Sequence, residues 1–284
     1  MEKISSDVVI VGAGASGLMA AHFASLSGKT VSIINHNKEI GRKILITGGG
    51  RCNFTNKNVT PESYQSSNSH FVKSALSRFT PYDFIDIVER HKIKYFEKKL
   101  GQLFCKDSAN EITALLSSLI NKSNISLYLK QKNIIVDKTD FGFNLHNQEI
   151  SINTKSLIIA TGGLTFPSLG STNFGYKVAK KFGHKIIPCV PALVPFTTPE
   201  FTELSGISLN VKVTCNEKVI EEDILFTHKG LSGPVILKSS LNWNHGDDLI
   251  IDWLPSRQVD NHFNPFFENF CQTNSLRLLG IVFH

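Results

Sequence analysis

Three absences narrow the reading before any motif is considered. Cysteine is sparse and has no useful spacing. The five, Cys52, Cys105, Cys189, Cys215 and Cys271, include no Cys-x-x-Cys pair, so neither a disulfide framework nor a metal site is expected. No window approaches the ~18 consecutive apolar residues of a membrane-spanning helix, and the N-terminus shows no signal-peptide cleavage pattern. A soluble protein in a reducing, cytoplasmic setting is therefore expected. Zinc-finger spacings and an RNA-binding aromatic signature are missing too. The chain is nevertheless basic, with 30 Lys and Arg against 24 Asp and Glu for a formal charge of +6. Its basic residues are scattered. The densest groups, Lys92/Lys94/Lys98/Lys99 and Lys180/Lys181, are short and flanked by apolar residues, a pattern that reads as solvated faces. The expected partner is a small-molecule substrate, with no nucleic acid and no membrane, and the oligomeric state is left open.

What is present begins within the first twenty residues. An apolar run from Asp7 leads into Gly12-Ala-Gly14-Ala-Ser-Gly17-Leu, the order strand, glycine turn, helix that a dinucleotide-binding unit requires. Gly12 permits the tight turn, Gly14 lets backbone N–H groups approach a diphosphate, and Gly17 lets the helix pack on the strand. The helix N-terminus then faces the anion. A second strand, Thr30 to Ile34, ends in Asn35, where this pattern normally places an acidic residue for a ribose hydroxyl. Asparagine can make that bond only without charge assistance.

Two further glycine-rich bends follow. Gly41 to Asn53 contains Gly48, Gly49 and Gly50 bracketed by Arg42, Lys43 and Arg51. It lacks a P-loop ending, but its amides could gather round an anion. Leu157-Ile-Ile-Ala160-Thr161-Gly162-Gly163 reads as a buried strand ending in small residues, and such strand ends gather at the ligand crevice of a doubly wound sheet. Helices are expected over His70 to Phe79, from Thr80-Pro81 to His91, and over Ser108 to Asn121, and strands over Ile125 to Leu129, Asn133 to Asp137 and Phe141 to His146. From Lys185 onward prolines punctuate extended segments. Strands are expected over Ile207 to Thr214, Val219 to Phe226, Val235 to Ser239 and Leu249 to Trp253, with Asn216-Glu217 as a hairpin turn. With 284 residues, 41% of them hydrophobic, two domains are expected.

Together with Pro167 to Gly183, Pro191-Ala-Leu-Val-Pro195 and Leu225-Phe-Thr-His-Lys-Gly-Leu-Ser-Gly-Pro234, these motifs resemble the BaiN/YhiN-type NAD(P)/FAD-dependent oxidoreductases, among them aminoacetone-oxidase-like and dehydro-bile-acid-reductase-like flavoproteins. The resemblance runs to about Leu254. It implies an α/β fold: a glutathione-reductase-like FAD-binding Rossmann domain over 1–187 and an inserted β-rich, barrel-like domain over 188–284. It implies FAD as cofactor, with NAD(P)H as a candidate electron donor. It would put Gly12, Ala13, Gly14, Ser16 and Gly17 on the diphosphate, and Asn35, His36 and Arg42 around the adenosine half. Thr47, Gly48, Gly49, Gly50, Arg51, Cys52 and Asn53 would line the path to the flavin, with Ala160, Thr161, Gly162 and Gly163 closing over the cofactor.

Family members are longer and return to the first domain through a Gly-Glu motif, an Asp and a Gly-Gly-Tyr-Asn stretch. Here a family helix is expected to start at Asn274, yet the sequence stops at His284. A truncation or frameshift that leaves the first domain without its return segment is the expectation. In a flavin enzyme the cofactor carries the redox chemistry, so no catalytic triad is required. His228 and Cys52 are candidates for proton or redox roles, each read first as structural, and no catalytic residue is assigned. The function expected is hydride transfer between a small organic substrate or NAD(P)H and FAD. Its rivals are an inert truncated copy and a non-redox FAD-binding protein that serves RNA modification or binds a partner.

Overall fold

The structure, a computed structural model, describes residues 2–255 and 275–276, and the chain divides into two compact units, Met1–Ile186 and Ile187–His284. The first unit runs β1 (Glu2–Val11), α1 (Ala15–Leu26), β2 (Val31–Ile34), α2 (Arg42–Ile46), β3 (Asn53–Asn56), α3 (Lys73–Arg78), α4 (Pro81–Arg90), β4 (Tyr95–Glu97), β5 (Gln102–Cys105), α5 (Asn110–Ile120), β6 (Ile125–Tyr128), β7 (Ile135–Thr139), β8 (Gly142–His146), β9 (Ile150–Ile159) and α6 (Phe174–Lys181).

Its main sheet has the order β6-β2-β1-β9-β8-β7. β6, β2, β1 and β9 are parallel, and β8 and β7 add an antiparallel edge. β1 and β2 read as near-continuous apolar runs because a parallel sheet is covered on both faces, and Val9, Ile10, Ile33 and Ile34 are buried accordingly. On one face α1 and α5 pack through Leu18, Ala21, Ile112, Leu115 and Leu116. This is the Rossmann-type arrangement that the glycine turn and strand order imply. A smaller sheet of order β3-β5-β4 flanks it, and its strands β4 and β5 fall between His91 and Ser108, where the sequence predicts none.

The second unit consists of β10 (Phe196–Thr197), β11 (Ser208–Cys215), β12 (Lys218–Thr227), β13 (Gly230–Ser232), α7 (Pro234–Ser239), β14 (Leu249–Asp252) and β15 (Ser275–Leu276). Its strands form a six-stranded antiparallel sheet of order β10-β13-β12-β11-β14-β15. Cys215 pairs with Lys218 across the expected Asn216-Glu217 turn, where Asn216 takes φ +52°, a left-handed conformation that asparagine tolerates.

Two expectations are corrected. Val235–Ser239 is helix rather than strand: Pro234 occupies its first position, and the buried residues Val235, Ile236 and Ser239 follow helical spacing. Ser239 Oγ also donates to Val235 O at 2.8 Å. Past the expected helix start, Ser275–Leu276 pair as a strand with β14 rather than forming helix; residues 256–274, Cys271 and Asn274 among them, and 277–284 lie outside the described residues. Among the described residues no helix is long and apolar enough to cross a membrane.

Candidate functional site

β1 and β9 end side by side, and everything in the site follows from that juxtaposition. Gly12 N–H donates to Ile34 O and Ala160 N–H to Val11 O, both at 2.8 Å, so the chain leaves β2, β1 and β9 at one level. A Cβ on Gly12 would stand 2.4 Å from Ala160 O, and Gly12 takes φ +113°, so only glycine turns here without a clash. Gly17 is held the same way, its would-be Cβ 1.9 Å from Gly12 O.

Gly14 differs. Nothing lies within 4 Å of its would-be Cβ, so it faces open space. It caps α1, and no side chain satisfies the amides of that first turn. Helix starts leave such donors without partners inside the helix, and Gly14, Ala15 and Ser16 here line a concavity.

The concavity is a cleft of about 1110 Å³ within the first unit. It is lined by residues at the C-terminal ends of β1, β2, β6 and β9, where open α/β sheets bind ligands. Of the sequence-derived candidates, Gly12, Ala13, Gly14, Ser16, Asn35, His36, Arg42, Thr47, Cys52, Asn53, Ala160, Thr161 and Gly162 line it. Gly17 is buried behind the turn. Gly48, Gly49, Gly50, Arg51 and Gly163 are not among the lining residues. Gly48, Gly49 and Gly50 all take positive φ, and Cys52 N–H closes the turn on Thr47 O at 3.0 Å.

Sequence reasoning missed two stretches of the wall, Gln131 to Ile134 and Leu169 to Phe174, together with Phe54, Phe84, Ile112 and Leu116. The first was within reach, because it follows β6 and the same strand-end rule applies to it. The aromatic and aliphatic residues make the other end of the cleft apolar.

The side chains around the opening are fixed by their neighbours. Asn35 is buried; its Nδ2 donates to Glu39 O at 3.1 Å and its Oδ1 accepts from Ala13 N–H at 3.5 Å. The side chain thus ties the glycine turn to the following loop. Arg42 donates to Asn37 Oδ1 at 2.9 Å and to Leu169 O at 3.1 Å, while Lys43 Nζ donates to Thr165 Oγ1 at 3.0 Å. His36 Nε2 is buried with no hydrogen-bond partner among the described residues, a polar atom left for something else to satisfy. Arg42, Lys43, Lys132 and Lys177 outnumber Glu39 on the wall, so the site favours an anion. Burial pushes the Cys52 thiol above its ordinary value, and burial drives Cys105 up to about 12. Both stay protonated near neutrality and are poor nucleophiles.

Residues 6–274 match the HI0933-like protein Rossmann domain. The chain belongs to the HI0933-like family. This HI0933-like chain is 44% identical over 264 residues to the ribosomal RNA dihydrouridine synthase of Escherichia coli, a match that covers 91% of this chain and 66% of that protein. It therefore spans about two thirds of the length of that relative. It is 29% identical over 275 residues to the 3-dehydro-bile acid delta(4,6)-reductase of Clostridium scindens, over 90% of this chain and 67% of that protein. Among solved structures, the open conformation of a flavocytochrome c3 fumarate reductase aligns with a TM-score of 0.50 at 18% identity, over 73% of this chain and 47% of that one, which is a likeness of fold.

Proposed function

We propose that this HI0933-like protein holds FAD in the cleft of its first unit and reduces a carbon–carbon double bond of a uracil base in RNA. The observation that carries the cofactor is the open cradle at Gly14: uncapped amides of α1 and a surplus of cations face a space that no side chain fills. A diphosphate fits such a donor set. The unpartnered His36 Nε2 and the apolar walls at Met19, Phe54, Phe84 and Leu116 suit the polar and ring-bearing parts of the same molecule.

The substrate class rests on the 44% identity to a ribosomal RNA dihydrouridine synthase across nine tenths of this chain. This departs from the small-molecule substrate expected from the sequence. Bound FAD supplies two-electron reduction, with NAD(P)H as the proposed reductant. The protein's part is to bind and orient. The first turn of α1 would hold the diphosphate, Asn35 would keep the glycine turn tied to the following loop, and the apolar wall residues would shield the bound group from water. The balance is two electrons and two protons added to one C=C bond, which leaves the saturated base.

The test has two stages. Purified protein should show a bound-flavin absorption spectrum that NAD(P)H bleaches in the absence of oxygen. Incubation with an RNA transcript should then produce uridines heavier by two hydrogens in mass spectrometry. RNA left unmodified while the flavin cycles would end the substrate assignment, and a colourless protein that takes up no added FAD would end the cofactor assignment.

A further inference from the structure

The small sheet beside the cleft has one face whose side chains do not line it. β4 and β5 run antiparallel with Tyr95 opposite Cys105, Phe96 opposite Phe104 and Glu97 opposite Leu103. Lys106 N–H donates to Lys94 O and Lys98 N–H to Gln102 O, both at 2.8 Å, which extends the ladder by a pair at each end. Strand alternation then sorts the side chains. Cys105 belongs to the core and Tyr95 packs against it, with Leu103 buried on the same face by alternation, so Lys94, Phe96, Lys98, the buried Phe104 and Lys106 share the opposite face.

Ring geometry agrees with that assignment. The Phe96 and Phe104 rings stack with centroids 5.9 Å apart. Lys98 Nζ lies 5.5 Å from the Phe104 centroid, and the Arg51 guanidinium 5.9 Å from that of Phe96.

The charge on this face is not offset by carboxylates of the fold. Lys94 and Lys106 stand directly across the ladder, a like-charge pair. Arg51, Lys94, Lys98 and Lys106 are all exposed, and among the described residues none of them makes an ion pair with a carboxylate. From Lys92 to Lys106 five lysines stand against one acidic residue, Glu97, and that carboxylate is engaged by Lys57. The face also adjoins the cleft. Asn53 lines the cleft and pairs opposite Phe104, and a Cβ on Gly48 would meet the Phe104 ring at 2.7 Å.

We infer that this face is a docking platform for single-stranded RNA, with phosphates against Arg51, Lys94, Lys98 and Lys106 and a base against the half-exposed Phe96 ring. The inference rests on RNA being the substrate. Cations around an aromatic ring are what sequence-tolerant strand binding requires, and the missing carboxylates are what a polyanion would supply.

The experiment uses the full chain and a fluorescently labelled single-stranded oligouridine RNA, with anisotropy recorded across a salt series. The variants are the triple Lys94→Gln/Lys98→Gln/Lys106→Gln, the single Phe96→Leu, and a charge-matched control, Lys138→Gln/Lys185→Gln/Lys218→Gln. Wild type should bind with a steep salt slope. The platform triple should weaken binding by at least about tenfold and reduce the log–log slope by ~2, three lost phosphate contacts on a single strand. Phe96→Leu should weaken binding about tenfold with the slope unchanged, as loss of one stacked base predicts. The control should stay close to wild type, FAD binding should be the same in all four proteins, and the platform triple, relieved of its like-charge pair, should melt no lower than wild type. Equal weakening in the platform and control triples would mean diffuse attraction and overturn the platform. Wild-type affinity in the platform triple would also overturn it while leaving RNA as the substrate, whereas a wild-type protein that binds no RNA removes both.

Discussion

At the scale of single residues, the three glycines of the opening turn are alike in sequence and different in role. Gly12 and Gly17 are required by the fold, because a methyl group at either would press on backbone oxygen at 2.4 and 1.9 Å. Gly14 is extended, with φ −89° and ψ −174°, and faces open space. Gly17→Ala should therefore lower the melting temperature of the flavin-free protein by the several degrees expected of overpacking, ~1–3 kcal/mol. Gly14→Asp should leave that melt unchanged or higher, because aspartate is a good N-cap, while weakening FAD binding at least about tenfold, because the carboxylate occupies and repels the diphosphate position. Calorimetry without flavin and a flavin titration separate the two outcomes. Asn35 makes a similar point about polarity. Its amide donates to Glu39 O while its oxygen faces Ala13 N–H, so Asn35→Asp would set a carboxylate against a carbonyl at a buried position and should cost about 1–3 kcal/mol of stability, read from denaturant midpoints.

At the scale of elements, α4 is the clearest case of a boundary written in the sequence. Thr80 Oγ1 accepts from Asp83 N–H at 3.3 Å, and the Asp83 carboxylate accepts from Thr80 N–H at 2.7 Å, with Pro81 at the first position. The hydroxyl and amide of Thr80 hold Asp83 below its ordinary 3.8. A carboxylate whose pKa is lowered by folding adds stability that is full above the unfolded value and lost as pH falls through the folded one. Thr80→Ala should cost about 1 kcal/mol near neutral pH, and the deficit should shrink as acid titrates Asp83 below pH 3.8. Thermal melts of the two proteins from neutral to acidic pH check it. Elements without such local signals were harder to read. The apolar run at Val235–Ser239 fits strand or helix equally well by composition, and Gly233, at φ +91°, together with Pro234 decides for helix. β4 and β5 are short strands, β5 pairs on its other side with β3, which is remote in sequence, and the lysines alternating with Phe96 conceal a half-buried face.

At the scale of the molecule, the division at Ile186 and Ile187 and the confinement of the cleft to the first unit make a joint prediction. Each unit has its own buried core, so unfolding should not follow a single two-state transition, and FAD should raise only the transition that belongs to the first unit. At a ligand concentration a hundred times Kd the gain is ~2.7 kcal/mol. Hydrogen exchange with and without FAD, resolved by segment, would detect it, and uniform protection of both units would contradict it. The sequence by itself determined the turn at Gly12 to Gly17, the parallel core strands and the cap of α4, because backbone dihedral needs, apolar periodicity and capping chemistry act over a few residues. It could not determine that Leu169 to Phe174 complete the wall, or that four cations and two rings meet on one face. Those arrangements depend on strand order and register between distant segments. Only packing of the folded chain decides them, since an apolar strand can pair with several neighbours until the helices covering both faces leave one order that buries them all.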